Sequence, residues 1–310
     1  MGGTIDRKAP AIGGIWDIFG PTQGALERRY GRPSSRFVTV GGVRVHLLDE
    51  GRADGPVVVL LSAHWASFTM WDGWLSHLRD GYRVLVVDLP GHGLTGQFPD
   101  GDYSIENYTQ LLLGVLDALG VTRFAVVGTS FSGVIAFRYA ASEGHRLTAM
   151  ILANASGIPR QDNAGPAPNA PPPQRLYRWL LPYWRPPGFF RWKLRTLMLD
   201  RTRITPASIR QFADMNNRRG RVREAELRTG AYTSGDARTT LGRVRVPTLI
   251  QWSTHSTYLA ATEAEVFQAW MPFAPTEVIL YPNVGYLIVL DAPDATGRDA
   301  RAFLDRTVSP

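Results

Sequence analysis

Ser130 stands two residues after an apolar run that ends at Gly128, with Ser132 and Gly133 next and the helical pattern Val134-Ile135-Ala136-Phe137 beyond. A strand that turns this sharply into a helix lifts one side chain clear of the sheet edge. It also aims the backbone N–H of Phe131, at the helix amino terminus, toward whatever that side chain attacks. Small neighbours suit a turn that is strained and crowded. Ser130 therefore reads as a nucleophile.

Such a serine needs a base within hydrogen-bond reach and a third group to orient that base. His64 lies just past an apolar run ending at Leu61, within Ser62-Ala63-His64-Trp65, and is the candidate base or donor to a substrate oxygen. His255 and Ser256 follow the run ending at Trp252, and Tyr286 closes the segment Pro282-Asn-Val-Gly-Tyr286. A tyrosine titrating near its usual ~10 is no base at neutral pH, but it can donate to a carbonyl held against Ser130. His46, His77, His92 and His145 read as structural. The chain has no cysteine, which excludes disulfides, thiolate metal sites and a cysteine nucleophile. No His-x-x-x-His spacing occurs, and neither a metal nor a cofactor is expected.

These side chains need a scaffold, and the apolar pattern supplies one. Residues 37–47 alternate with period two around Gly42 and predict a hairpin. Runs at 57–61 and 84–87 are continuously apolar, as in strands covered on both faces, with helical spacing at 70–78 between them. Ser104 is a candidate N-cap for a helix to about residue 119. Strands at 124–127, 147–152, 246–252 and 277–281 continue the alternation, with helices at 131–141, 263–271 and 292–304. That order predicts a doubly wound, mainly parallel α/β sheet whose ligands sit beyond the carboxyl ends of the strands. Residues 157–242 break the pattern. They hold a Pro-rich loop at 160–174, an aromatic-basic stretch from Tyr177 to Trp192 and a polar helix at 208–217, which reads as an inserted helical cap. Residues 1–34 read as a peripheral arm with amphipathic pieces at 15–19 and 26–30.

The element order, the elbow at Ser130 and the loop Asp88-Leu-Pro-Gly-His-Gly93 together resemble the α/β-hydrolase superfamily over roughly residues 35–305. The resemblance implies an eight-stranded α/β-hydrolase sheet, with core segments 35–156 and 243–310 around the cap at 157–242. It also implies a triad that this chain does not spell. Where the family has Gly-x-Ser-x-Gly, Ser132 replaces the last glycine and Gly133 follows. Where it has the His-Gly of the oxyanion loop, Ser62-Ala63 precede His64. Ser256 stands at the position of the acid, Asn154 at the place where some relatives carry it, and Tyr286 at the position of the general base.

The net charge of +7 is almost all arginine, since Lys8 and Lys193 are the only lysines. The basic residues are scattered and no aromatic-basic RNA motif occurs, so nucleic acid is not an expected partner. No apolar run approaches the roughly 18 residues of a membrane span. Residues 1–10 lack the apolar core of a signal peptide, and a cytoplasmic location is expected. The expected activity is attack by Ser130 on an ester or other carbonyl of a small apolar substrate, with His64 as the favoured base. Phe131, Ser62, Trp65 and Asn154 are expected on the oxyanion or substrate side, and Trp71, Trp179, Trp184 and Trp192 are candidates for its aromatic walls. Two alternatives use the same residues: a cyclase, lyase or isomerase working through His64 and Tyr286, or an inactive binding protein.

Overall fold

The computed structural model describes residues 20–159, 184–220 and 236–308. Eight strands form one sheet in the order β1-β2-β4-β3-β5-β6-β7-β8. They are β1 (Ser35–Val40), β2 (Val43–Gly51), β3 (Val57–Leu61), β4 (Arg83–Val87), β5 (Phe124–Ser130), β6 (Leu147–Ala155), β7 (Thr248–Ser253) and β8 (Thr276–Tyr281). The predicted hairpin is β1–β2. It turns on Gly41 and Gly42, whose φ values of 55° and 78° are those a two-residue hairpin turn demands. β2 also runs antiparallel to β4, and all remaining neighbours are parallel.

Alternate residues of the central strands feed two separate cores. Val59, Leu85, Val126, Met150 and Ile250 face one, while Leu60, Val86, Val127, Ile151 and Leu249 face the other. Helices α3 (Ile105–Ala118) and α4 (Phe131–Glu143) cover the first face. Ser104 caps α3 as expected, its hydroxyl accepting the Asn107 N–H at 3.2 Å. Helix α2 (Asp72–Leu78), entered through a 3₁₀ turn at Phe68–Trp71, covers the second face with a carboxyl-terminal helix described below. Both faces being covered explains why these strands read as unbroken apolar runs.

The stretch expected as a cap holds α5 (Pro187–Leu197) and α6 (Pro206–Asn216), which pack on each other. Thr205 and Ser208 form a reciprocal capping box at the start of α6. Helix α7 (Ala237–Leu241), near the end of the same stretch, buries Ala237 and Leu241 in the first core and packs on α4. Then follow α8 (Glu263–Ala269), α9 (Ile288–Asp291) and α10 (Pro293–Thr307), of which α10 packs on α2. The Pro-rich loop at 160–174, Trp179 and the amphipathic piece at 15–19 lie outside the described residues.

The arm is not independent of the cap. Helix α1 (Gln23–Tyr30) buries Leu26, and its carboxyl end meets α6 at Asp214, which accepts from Arg29 at 2.7 Å and from the Tyr30 hydroxyl at 2.6 Å. Arg219 donates to the Gly20 carbonyl at 2.9 Å. No helix among the described residues is long and apolar enough to cross a membrane.

Candidate active site

Ser130 ends β5 and begins α4 with φ 55° and ψ −126°. A non-glycine residue held there stores about 1–3 kcal/mol of backbone strain, so its surroundings must enforce it. They do. A β-carbon on Gly133 would lie 2.4 Å from that of Ala155, so only glycine lets α4 approach β6 this closely. Ser132, which replaces the last glycine of the family pattern, is a pin. Its hydroxyl accepts the Thr129 N–H at 2.9 Å and lies 2.8 Å from the Leu61 carbonyl at the end of β3. The Ser130 carbonyl accepts the Ser156 N–H at 2.9 Å.

The Ser130 hydroxyl meets Tyr286, whose Oη donates to Oγ at 2.5 Å. Burial pushes the phenol above its usual value; hydrogen bonds to Ser130 and Ser156 pull the other way, and Tyr258 and Glu263 push up again. The phenol is therefore neutral at physiological pH and a donor, not a base. A chain of contacts runs outward from it. The Tyr286 ring packs on Tyr258 at 5.2 Å, and Lys193 of α5 donates to the Tyr258 hydroxyl at 2.8 Å. One of two lysines in the sequence thus reaches the rim of the site from the cap. Its rarity was the only signal available beforehand.

Asn154, at the end of β6, explains how the Tyr286 loop is held. It is fully buried, with a left-handed φ of 44°. Its amide donates to the Tyr286 carbonyl at 2.6 Å and to Ser253 Oγ at 3.1 Å, and its oxygen accepts the Ser253 N–H at 2.9 Å. Expected on the substrate side, it instead ties β6, β7 and the Tyr286 loop together. Asp291 adds a second tie, accepting the Gly285 N–H at 2.6 Å.

The other expected residues divide. His64 is half-buried, and its ring stands 5.7 Å from that of His92, which in turn stacks on Phe131 at 6.3 Å. His64 therefore sits on the Ser130 side of the sheet. His92 is buried, with Nδ1 3.1 Å from the Pro90 carbonyl. Trp65 adopts φ 72° and stacks with Phe189 and Phe190 of α5 at 6.0 and 6.1 Å, while its carbonyl accepts from Asn216 of α6 at 2.8 Å. His255 is exposed, its Nδ1 accepting the Asn283 N–H at 3.1 Å. Ser256 is occupied by its own turn, accepting the N–H groups of Tyr258 and Leu259 at 3.1 and 3.0 Å. Ser62 is buried with no hydrogen-bond partner for its hydroxyl among the described residues. Trp71, considered for a pocket wall, is fully buried against Trp74.

Two further groups shape the surroundings. Asp88 holds the loop that carries His92, accepting from the N–H groups of Phe68 at 2.8 Å and Leu94 at 2.9 Å, and its Oδ2 lies 2.8 Å from His46 Nδ1. Arg185, beside the first cap helix, lies over the Trp65 ring at 4.8 Å and the Phe189 ring at 5.3 Å. Burial pulls its pKa down, and no carboxylate pairs with it among the described residues.

Residues 56–293 match the family model of the alpha/beta hydrolase fold, and the chain belongs to that family. Among individual proteins, it is 35% identical over 127 residues to a 2-hydroxy-6-oxo-2,4-heptadienoate hydrolase of Pseudomonas putida. That match covers 40% of this chain and 45% of the relative, so the chain spans under half the length of that protein. A 2-hydroxy-6-oxononadienedioate/2-hydroxy-6-oxononatrienedioate hydrolase of Cupriavidus pinatubonensis is 28% identical over 232 residues, covering 71% of this chain and 78% of the relative. In fold, the chain is similar to the meta-cleavage product hydrolase of Pseudomonas fluorescens IP01, with a TM-score of 0.72 at 18% identity over 87% of this chain and 97% of that one.

Proposed function

We propose that the protein is a serine hydrolase of reduced reactivity that cleaves an ester or related carbonyl bond in a small hydrophobic substrate. Ser130 is the nucleophile, His64 the base and Tyr286 a neutral hydrogen-bond donor beside them. The observation that carries this reading is the strained backbone of Ser130, enforced by Gly133 against Ala155 and by the Ser132 pin. That conformation sets a hydroxyl next to the amino terminus of α4, where the Phe131 N–H can receive an oxyanion. Tyr286, neutral and donating, cannot remove the serine proton. His64, half-buried beside His92 and through it close to Phe131, is the histidine favoured for that role. The hydrolase names of the two relatives support the reaction class. Trp65, Phe189 and Phe190 supply apolar wall, and Arg185 offers one desolvated cation among them. A hydrophobic carbonyl compound that also bears a carboxylate suits this wall, in keeping with the acids named for those relatives.

The Tyr286–Ser130 bond favours one second reading. A phenol donating to a serine forms a two-hydroxyl relay that can deliver a proton to a carbonyl oxygen with no acyl-enzyme, as a lyase, cyclase or isomerase requires.

A fluorophosphonate probe separates the two. The hydrolase reading expects Ser130 to label, but more slowly than an intact triad, because the base is not at the family's usual position. Labelling rises through the histidine titration near pH 6–7, since only the neutral ring is a base. His64→Ala abolishes it and Tyr286→Phe leaves most of it. No labelling of the folded protein at any pH would exclude the hydrolase reading. Turnover of a carbonyl substrate by Ser130→Ala would instead support the relay reading, and silence in both assays leaves a binding protein.

A further inference from the structure

A large cleft lies at the amino ends of the parallel strands, at the opposite end of the sheet from Ser130. It measures about 1030 Å³. Phe124, which starts β5, lies in its wall, and Ser130 ends the same strand, so the cleft and the hydroxyl stand roughly 20 Å apart at the usual rise per residue. No residue of the candidate active site lines it.

Its charge is lopsided. Arg52, Arg123, Arg243 and Arg245 line it against a single carboxylate, Asp54, so four positive charges less one negative leave a formal +3. Asp54 is already bonded to Arg52 at 2.9 Å. Arg123 and Arg243 make no ion pair among the described residues, and Arg245 covers the ring of Phe273 at 4.1 Å. Some arginines elsewhere are paired, among them Arg83 with Asp49, Arg146 with Asp117 and Arg301 with Asp80 and Asp305. Part of the arginine surplus of the sequence is collected in this one concave place.

The carboxyl ends of α4 and α10 reach the cleft and favour nearby cations, as does that of α7, whose capping residue Gly242 accepts from Arg245. The same helix ends disfavour an anion, so a ligand must engage several guanidinium forks at once. Pro56, Val57 and Pro247 add apolar wall for an organic body, and the volume is that of a small-molecule site.

We propose that this cleft is a second ligand site, for a small organic phosphate with two or more phosphate charges, of about the size of a nucleoside diphosphate. The test is calorimetric titration of the full chain with ADP, with inorganic pyrophosphate and with a single-stranded oligonucleotide, at low and at physiological salt. The site predicts saturable binding of ADP at one per chain, and weaker binding of pyrophosphate, which lacks the organic part. Arg243→Glu weakens ADP binding at least tenfold, and Arg123→Gln with Arg243→Gln does so without introducing a repulsive charge. Both are exposed substitutions, and unchanged thermal unfolding verifies the fold. Absence of saturable ADP binding overturns the proposal, as does binding that survives both variants. Preference for the oligonucleotide over ADP overturns it too, since that marks an extended polyanion surface.

Discussion

The elbow at Ser130 and the Tyr286 loop face each other across 2.5 Å, yet they have been treated very differently by the sequence. The elbow keeps its family geometry even where its residues change, because its shape is imposed by close packing. Gly133 must remain small against Ala155, and Ser132 takes the place of a glycine only by finding three backbone partners. The Tyr286 loop is held by its backbone, through Asn154 and Asp291. Close packing shapes the elbow, and hydrogen bonds to the backbone shape the loop.

The comparison breaks most visibly at Gly133. Gly133→Val places new carbons inside van der Waals contact with Ala155 and is expected to cost about 3 kcal/mol or more, read by urea denaturation. A well-tolerated valine would show that the elbow is not packing-enforced. Asn154→Leu comes next. It leaves the Tyr286 carbonyl and the Ser253 N–H without their buried partner, at about 2–3 kcal/mol, and loosens the Tyr286 loop while the elbow stays formed. Chemical shifts or crystallography of that variant would test whether the two regions separate in this way.

Asp49, on β2 and far from both loops, provides a control. Its side chain is 8% exposed and bonded to Arg83 and Arg36. The hydrogen bond from Arg83 outweighs burial and holds the carboxyl below its usual value. The folded protein thus takes up that proton less readily than the unfolded chain. The stabilisation is present above the ordinary carboxylate range and is lost as pH falls through the depressed folded value. Asp49→Asn is expected to cost about 1–2 kcal/mol at neutral pH and to matter little near pH 2, as acid-unfolding curves would show.

Tyr286→Phe has the smallest expected effect on stability, within about 1 kcal/mol. Its signature is spectroscopic. Tyr30, Tyr82, Tyr139 and Tyr281 are raised as well, so the variant should show one fewer phenol ionising above a free tyrosine in ultraviolet titration. A Tyr286 that titrated at or below the ordinary value would return it to the list of possible bases.

The fold was largely legible in the sequence because its cues are local. Apolar runs, the Gly41-Gly42 turn and the Ser104 cap each act over a few residues and each appears at the expected place. The elbow was legible for the same reason. What could not be read was the wiring between distant segments. Asn154 matched a position that some relatives give to an acid, but its partnership with Tyr286 spans 132 residues and leaves no trace in spacing. His255 neighbours the vacated acid position in sequence, yet it turns outward to the Asn283 N–H. Helix α7 fell within the expected cap because no strand pattern marks residues 157–242, and nothing in spacing foretold that it buries Ala237 and Leu241 in the first core.

The grip of Asp214 on Arg29 and Tyr30 has a practical side. A shortened chain starting beyond residue 31 would leave that aspartate, only 20% exposed in its side chain, without two of its donors, and would uncover the face that Leu26 fills. Trimming at that point therefore reaches α6 from the outside, and an activity lost on shortening would say nothing about residues 20–31 as catalytic parts.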